Sequence, residues 1–85
     1  MPHDKIQYLV LDRRDPGANI ARFYVLSIEA SLFGDVALIR EWGRIGTVGQ
    51  RTTELHESEG SAMEALEVWL HRKQRRGYVA RSGGR

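Results

Sequence analysis

Only one stretch of this chain carries the spacing of a helix, and the apolar runs before it are the length of strands. Between residues 61 and 76, Ala62, Met63, Leu66, Trp69, Leu70 and Lys73 fall on one stripe, while Glu64, Glu67, His71 and Arg75 face away. Residues 5–12 (KIQYLVLD) form a short hydrophobic run. Residues 22–29 (RFYVLSIE) alternate, placing Tyr24, Leu26 and Ile28 on one face and Phe23, Val25 and Ser27 on the other. Residues 36–42 (VALIREW) begin apolar on both faces, as an internal strand does, and residues 50–57 (QRTTELHE) are polar and Thr-rich, as a strand with one solvated face is. Strands followed by one helix predict the α+β class. The sheet is antiparallel and four-stranded, with a fifth strand if residues 78–80 dock, and the C-terminal amphipathic helix packs on one face. Tyr24, Leu26, Ile28, Leu38, Leu66, Trp69 and Leu70 are the expected core.

Punctuation supports these elements. Asp15-Pro16-Gly17 is turn chemistry, with Pro presetting its φ and Gly tolerating a positive one. Gly43, Gly46 and Gly49, spaced by three, are expected to supply the positive-φ positions of a tight connection. Ser61 with Glu64 fits a capping box, with Ser58 as a rival cap, and Gly77 is the expected helix stop. The 85 residues allow one domain and one modest core. Residues 1–80 are read as that domain and residues 81–85 as a flexible tail.

Composition excludes several classes of function. With 41% hydrophobic residues and both charge signs present, wholesale disorder is not expected. No run approaches the roughly 20 apolar residues that span a bilayer, and the N-terminus does not read as a signal peptide. Cys is absent, so there is neither a disulfide nor a thiolate metal site. A cytoplasmic location, with nucleoid association open, fits. The net charge is only +2, but its distribution is uneven. Residues 72–85 hold six basic side chains and no acid, while residues 1–71 hold seven basic residues against all eleven acids. Such a basic end suits phosphate, and it equally suits a helix C-terminus.

The chemistry concentrates in residues 41–51, EWGRIGTVGQR. Trp42 followed by Gly43 sets a flat ring beside a backbone without a Cβ, and Arg44 adds a planar fork that matches phosphate. An aromatic platform beside a guanidinium suits stacking on a base or sugar while gripping the adjacent phosphate. The plainer alternative is a buried Trp next to a turn. Arg22, Gln50 and Arg51 flank the segment, and Arg72, Lys73 and Arg76 supply the basic helix end. Residues 43–49 are not a P-loop, since no Gly-Lys-Ser/Thr follows. His56-Glu57 lacks the second His of a zincin helix, and His3, His56 and His71 are scattered. No Ser-His-Asp spacing stands out.

The segment WGRIGTVGQ resembles the signature of the WGR domain. Around it lie the aromatic pair Phe23 and Tyr24, Gly46 and Gly49, a polar strand, an amphipathic helix and an Arg76-Gly77-Tyr78 ending similar to that of short bacterial members. The resemblance covers roughly residues 5–80. It implies a non-catalytic nucleic-acid-binding module, as in the DNA-dependent poly(ADP-ribose) polymerases, where the motif Trp packs on a terminal sugar and the motif Arg contacts DNA or neighbouring domains. Trp42 and Arg44 take those roles by implication. The polymerase domains carry an Asn two residues before the aromatic pair. Here that position is Ala21, with Asn19 nearby but not matching, and nothing corresponds to the polymerases' C-terminal contact segment. The reading is therefore a DNA-binding module for ends, nicks or 5′-phosphates, using Trp42, Gly43, Arg44, Arg22, Gln50, Arg51, Arg72, Lys73 and Arg76. The alternative is a protein-interaction module using the same Trp and Arg surface. No enzyme activity, cofactor, metal, membrane or small-molecule substrate is expected.

Overall fold

The computed structural model describes residues 5–31 and 33–81. Strands β1 (Lys5–Asp15), β2 (Ile20–Ala30), β3 (Val36–Arg44) and β4 (Gln50–His56) form an antiparallel meander. Helix α1 (Glu59–Arg75) follows, and β5 (Val79–Ala80) returns to pair with β1. The five strands lie in the order β4-β3-β2-β1-β5, so β3 is internal and the polar β4 is an edge.

Register explains why β1 and β2 run longer than their hydrophobic runs. Pairing continues past Asp12 through Arg13 with Arg22, Arg14 with Ala21 and Asp15 with Ile20. Pro16–Ala18 then make one 3-10 turn, closed by the Asn19 N–H donating to the Pro16 carbonyl at 3.1 Å. The positive φ of this connection falls on Asn19 (57°) rather than on Gly17. Asn tolerates the left-handed region better than most residues, because its short side chain bonds locally.

One face of the sheet is covered by α1. Leu11, Tyr24, Leu26, Ile28, Val36, Leu38, Ala62, Leu66 and Tyr78 are the buried cluster between them. Trp69 and Leu70, expected in the core, are only partly buried. Toward the C-terminal end of the helix Trp69 meets charged groups: the Arg40 guanidinium of β3 lies 3.9 Å from its ring centre, and that of Arg72, from the same helix, lies 4.9 Å away.

The helix begins three residues earlier than the capping-box reading places it. Ser58 is the N-cap, its Oγ accepting from the Ser61 N–H at 3.1 Å. Ser61 is inside the first turn, with its hydroxyl 2.7 Å from His56 Nδ1. At the other end Gly77 (φ 98°) stops the helix as expected. The Gly77 N–H donates to Gln74 and that of Tyr78 to Lys73, both at 3.0 Å, satisfying two of the last carbonyls. This reversal drops the Tyr78 ring into the core and delivers β5 to the β1 edge.

Arg81 fastens that end. Its Nε and Nη2 donate to the two Asp12 carboxylate oxygens at 2.9 and 2.7 Å, and its backbone N–H donates to Val10 at 2.8 Å. Residues 82–85, the rest of the expected tail, lie outside the described residues. The Arg81 hydrogen bonds hold the Asp12 carboxyl below its usual range, with further help from the charges of Arg81 and Arg14 and opposed by burial. A lowered acid pKa stabilises the fold above the unfolded carboxyl value of about 3.9, and that contribution is lost as pH falls through the folded value. The amide protection factor of Arg81 is therefore expected to drop between pH 5 and about pH 3. Asp12→Asn should remove that pH dependence. A protection factor indifferent to pH in the wild type would mean that the ion pair does not hold β5.

Candidate nucleic-acid interface

Alternation along the strands places Arg22 on the helix-covered face with Tyr24, and Arg40, Trp42 and Arg44 on that face with Leu38. Cross-strand pairing then aligns them into rungs. Arg13, Arg22 and Arg44 oppose one another across β1, β2 and β3. One rung nearer the core lie Leu11, Tyr24, Trp42 and Gln50. The next holds Leu26, Arg40 and Thr52. Like charges directly opposite on a sheet are destabilising, so a row of three arginines costs the fold stability.

The helix end adds to this row. Lys73 Nζ stands 4.5 Å over the Tyr24 ring. Burial, then the positive charges of Arg76, Arg40 and Arg22, push its amine below the usual lysine range. All three named charges are cationic. Among the described residues, none of Arg13, Arg22, Arg40, Arg44, Lys73 and Arg76 makes an ion pair.

Trp42 is half-buried and stacks on Tyr24 with ring centres 6.0 Å apart and an interplanar angle of 24°. Arg40 lies between the two tryptophans, 5.6 Å from the Trp42 ring centre, and its Nη1 donates to the Tyr24 hydroxyl at 3.1 Å. Among the described residues its buried Nε meets no acceptor. The order Trp42, Arg40, Trp69, Arg72 is thus a run of alternating rings and guanidiniums from β3 to the outer side of the helix. Each cation-ring contact is worth about 0.5–2 kcal/mol, depending on how dry it is.

The loop after β3 is shaped by its glycines, but not all in the expected way. Gly46 (φ 96°) and Gly49 (φ 76°) carry the positive dihedrals, whereas Gly43 belongs to β3 and does not. Gly43 is required for close approach instead: a Cβ there would stand 2.8 Å from the Gly49 Cα. A Cβ on Gly49 would overlap the Trp42 carbonyl oxygen and crowd the Phe23 ring at 2.8 Å. The Thr47 hydroxyl closes the turn by donating to the Arg44 carbonyl at 2.8 Å. Gly49→Ala is expected to cost about 1–2 kcal/mol from the left-handed backbone alone, and more as the loop moves off Trp42. Denaturant melts and the Trp fluorescence maximum read both effects, and a wild-type midpoint would contradict this packing.

Of the residues singled out from sequence, Trp42, Arg44, Arg22, Gln50, Lys73 and Arg76 share the helix-covered face or the adjoining helix end. Arg72 caps the outer side of Trp69. Gly43 lends backbone rather than surface. Arg51 is on the opposite face, its Nη1 3.6 Å from Glu41. That face also carries the Asp12 and Arg81 pair and a shallow recess between Tyr8, Phe23, Val25 and Ile45.

Sequence reasoning missed Arg13 and Arg40, which only register brings to the site. It also set aside Asn19, whose Oδ1 stands 3.5 Å from Arg44 Nη2. Ser61, His56 and Glu54 form an exposed hydrogen-bonded chain, with His56 Nε2 3.1 Å from Glu54 Oε1. It ties the helix start to β4. Among the described residues no helix is long and apolar enough to cross a membrane.

The uncharacterized protein y4dW of Sinorhizobium fredii (strain NBRC 101917 / NGR234) is 45% identical over 73 residues, covering 86% of this chain and 36% of that protein. The chain thus spans about a third of its relative's length. The family model described as the WGR domain matches residues 8–85. This chain therefore belongs to the WGR domain family, a non-catalytic family known as a nucleic-acid-binding module in poly(ADP-ribose) polymerase-like proteins.

Proposed function

We propose that this domain binds DNA, at ends, nicks or 5′-phosphates, through the face that carries Trp42, Arg44, Arg22 and Arg13, with Lys73 and Arg76 extending it. One observation carries the reading. Among the described residues the cations beside Trp42 make no ion pair, whereas Arg51 and Arg81, on the other side of the sheet, are matched with Glu41 and Asp12. A fold gains nothing from crowding unpaired cations, and their cost is offset when a polyanion supplies the missing charge. Trp42 offers a ring edge and face at the border of this patch, where a terminal sugar or base stacks while its phosphate meets the arginines. Gln50, on the Trp42 rung, adds a neutral donor and acceptor.

The test is an anisotropy titration against blunt, nicked, 5′-phosphorylated and single-stranded DNA at two salt concentrations. The logarithm of affinity is expected to fall with log salt at a slope of about −0.9 per phosphate contact on duplex. Reversing Arg22 and Arg76 together to Glu should weaken binding to every DNA and flatten that slope by about two units. Salt-independent binding, or a slope untouched by the double reversal, would leave a protein partner as the better reading of the same surface.

A further inference from the structure

The stacking groups of the helix-covered face do not stop at Trp42. Same-face residues follow one another along β3 as Arg44, Trp42 and Arg40, so the step from the arginine row to the ring is repeated once more. From Arg40 the run passes to the helix. The Arg40 guanidinium lies 3.9 Å from the Trp69 ring centre, and that of Arg72 covers the ring's outer side at 4.9 Å. The helix edge that borders β4 is marked by Ser61, whose hydroxyl meets His56 of that strand at 2.7 Å. Ala65, Val68 and Arg72 follow Ser61 at helical spacing and lie along the same edge, while the acids Glu64 and Glu67 face away. Val68 and Arg72 are exposed and Trp69 is only partly buried, so this border is open to solvent. Across it, β4 is the edge of the sheet and carries Gln50 and Thr52 on the same face. A duplex presents a free stacking surface only at its last pair, and Trp42 is enough to meet that. The second ring and the outermost guanidinium have a base to stack on only if unpaired nucleotides continue beyond the pair.

We propose that the strip between α1 and β4 takes a single-stranded overhang, so that the preferred DNA is an end with unpaired nucleotides rather than a blunt one. The inference rests on the nucleic-acid reading above and names the substrate class of that site. The arginine row meets the duplex phosphates and Trp42 the last paired nucleotide. The unpaired strand runs from there over Arg40 to Trp69 and Arg72. The outer plane of the Arg72 guanidinium, backed by the Trp69 ring, is a platform for a base, since bases stack on guanidinium planes as they do on aromatic rings. Gln50 and Thr52 each donate and accept, so they suit any base. Stacking is likewise tolerant of sequence, and the strip reads the absence of pairing rather than a particular base.

The test titrates the intact chain with three duplexes of one sequence: blunt, with an overhang of about four nucleotides, and with an abasic overhang of the same length, each overhang made in both polarities. The abasic strand keeps the phosphates and removes the rings. The base-bearing overhang is expected to bind at least about fivefold more tightly than the blunt end in one polarity, the scale of a single stacked base. The abasic overhang should return most of that advantage. Arg72→Ala should bring the ratio of overhang to blunt affinity to within about twofold of one. Arg75→Ala removes the same charge from the side of the helix that faces away, and it should keep the ratio. A wild-type ratio near one with the blunt end still bound overturns the proposal and spares DNA binding. So does an abasic overhang that binds as tightly as the base-bearing one, or a ratio that survives Arg72→Ala. A chain that binds none of the duplexes overturns both readings.

Discussion

Leu66→Ala is expected to lower the stability of this domain by about 2–5 kcal/mol, the range for emptying a fully buried leucine site. Leu66 is 2% exposed and lies near the middle of α1, one turn after the fully buried Ala62. The loss is more than a methyl count, because α1 is the one helix packed on that sheet face among the described residues. The sheet side of its contact is Leu11, Tyr24, Leu26, Ile28 and Leu38, all at or below 2% exposure. Domains of this size are stable by only about 5–15 kcal/mol, so a large part of the total is at stake. Each kcal/mol is worth about 4–8 °C at the midpoint, which puts the expected drop in Tm at roughly 8 °C or more. Val68→Ala is the control, since Val68 is 50% exposed on the same helix and should change stability far less. Equal midpoints for the two variants in a urea melt would mean that α1 is not pinned to the sheet through Leu66.

The strands and the helix were legible because each depends on local chemistry. Alternation in residues 22–29 predicts which side of β2 is buried, and Gly77 marks the helix stop. The helix start was ambiguous for a physical reason. Ser58 and Ser61 both precede an apolar stripe, and the choice is made by a tertiary contact, the Ser61 hydroxyl being engaged by His56 on β4. Trp69 looked like core because spacing reports which stripe a residue is on. It cannot report that the facing groups on the sheet are the Arg40 side chain and open solvent.

The arginine row has the same lesson in sharper form. Arg13, Arg22 and Arg44 are far apart in sequence and meet only through register, and register depends on the connection between β1 and β2. Reading Asp15 and Ile20 as the closing pair of that connection would have set Arg13 opposite Arg22. The turn was expected to take its positive φ at Gly17, and placing it there hides this pairing. Arg40 was hidden differently: a charged residue within an apolar run reads as an interruption, and only the structure puts it between two rings.

Arg44→Ala should weaken DNA binding by at least tenfold while leaving the thermal midpoint nearly unchanged. Arg44 is exposed, and its side chain's nearest polar partner is the Asn19 Oδ1 at 3.5 Å, at the outer limit of a hydrogen bond. Removing it also relieves like-charge repulsion with Arg22 across the β2–β3 pair. Stability therefore has little to lose. Binding has more at stake, because a charge-assisted hydrogen bond is worth about 1.5–3 kcal/mol and tenfold in affinity corresponds to about 1.4 kcal/mol. Arg44→Lys keeps the charge but loses the planar fork, so it should recover the salt slope and only part of the affinity. Trp42→Ala is a less clean probe, since its ring also stacks on Tyr24 and meets Arg40. The comparison is made on duplex ends with and without a 5′-phosphate, alongside a melt of each variant. A larger loss on the phosphorylated end would assign Arg44 to the terminal phosphate, and an equal loss on both would assign it to the backbone. Unchanged affinity on both, in a protein that melts like the wild type, would remove Arg44 from the DNA interface.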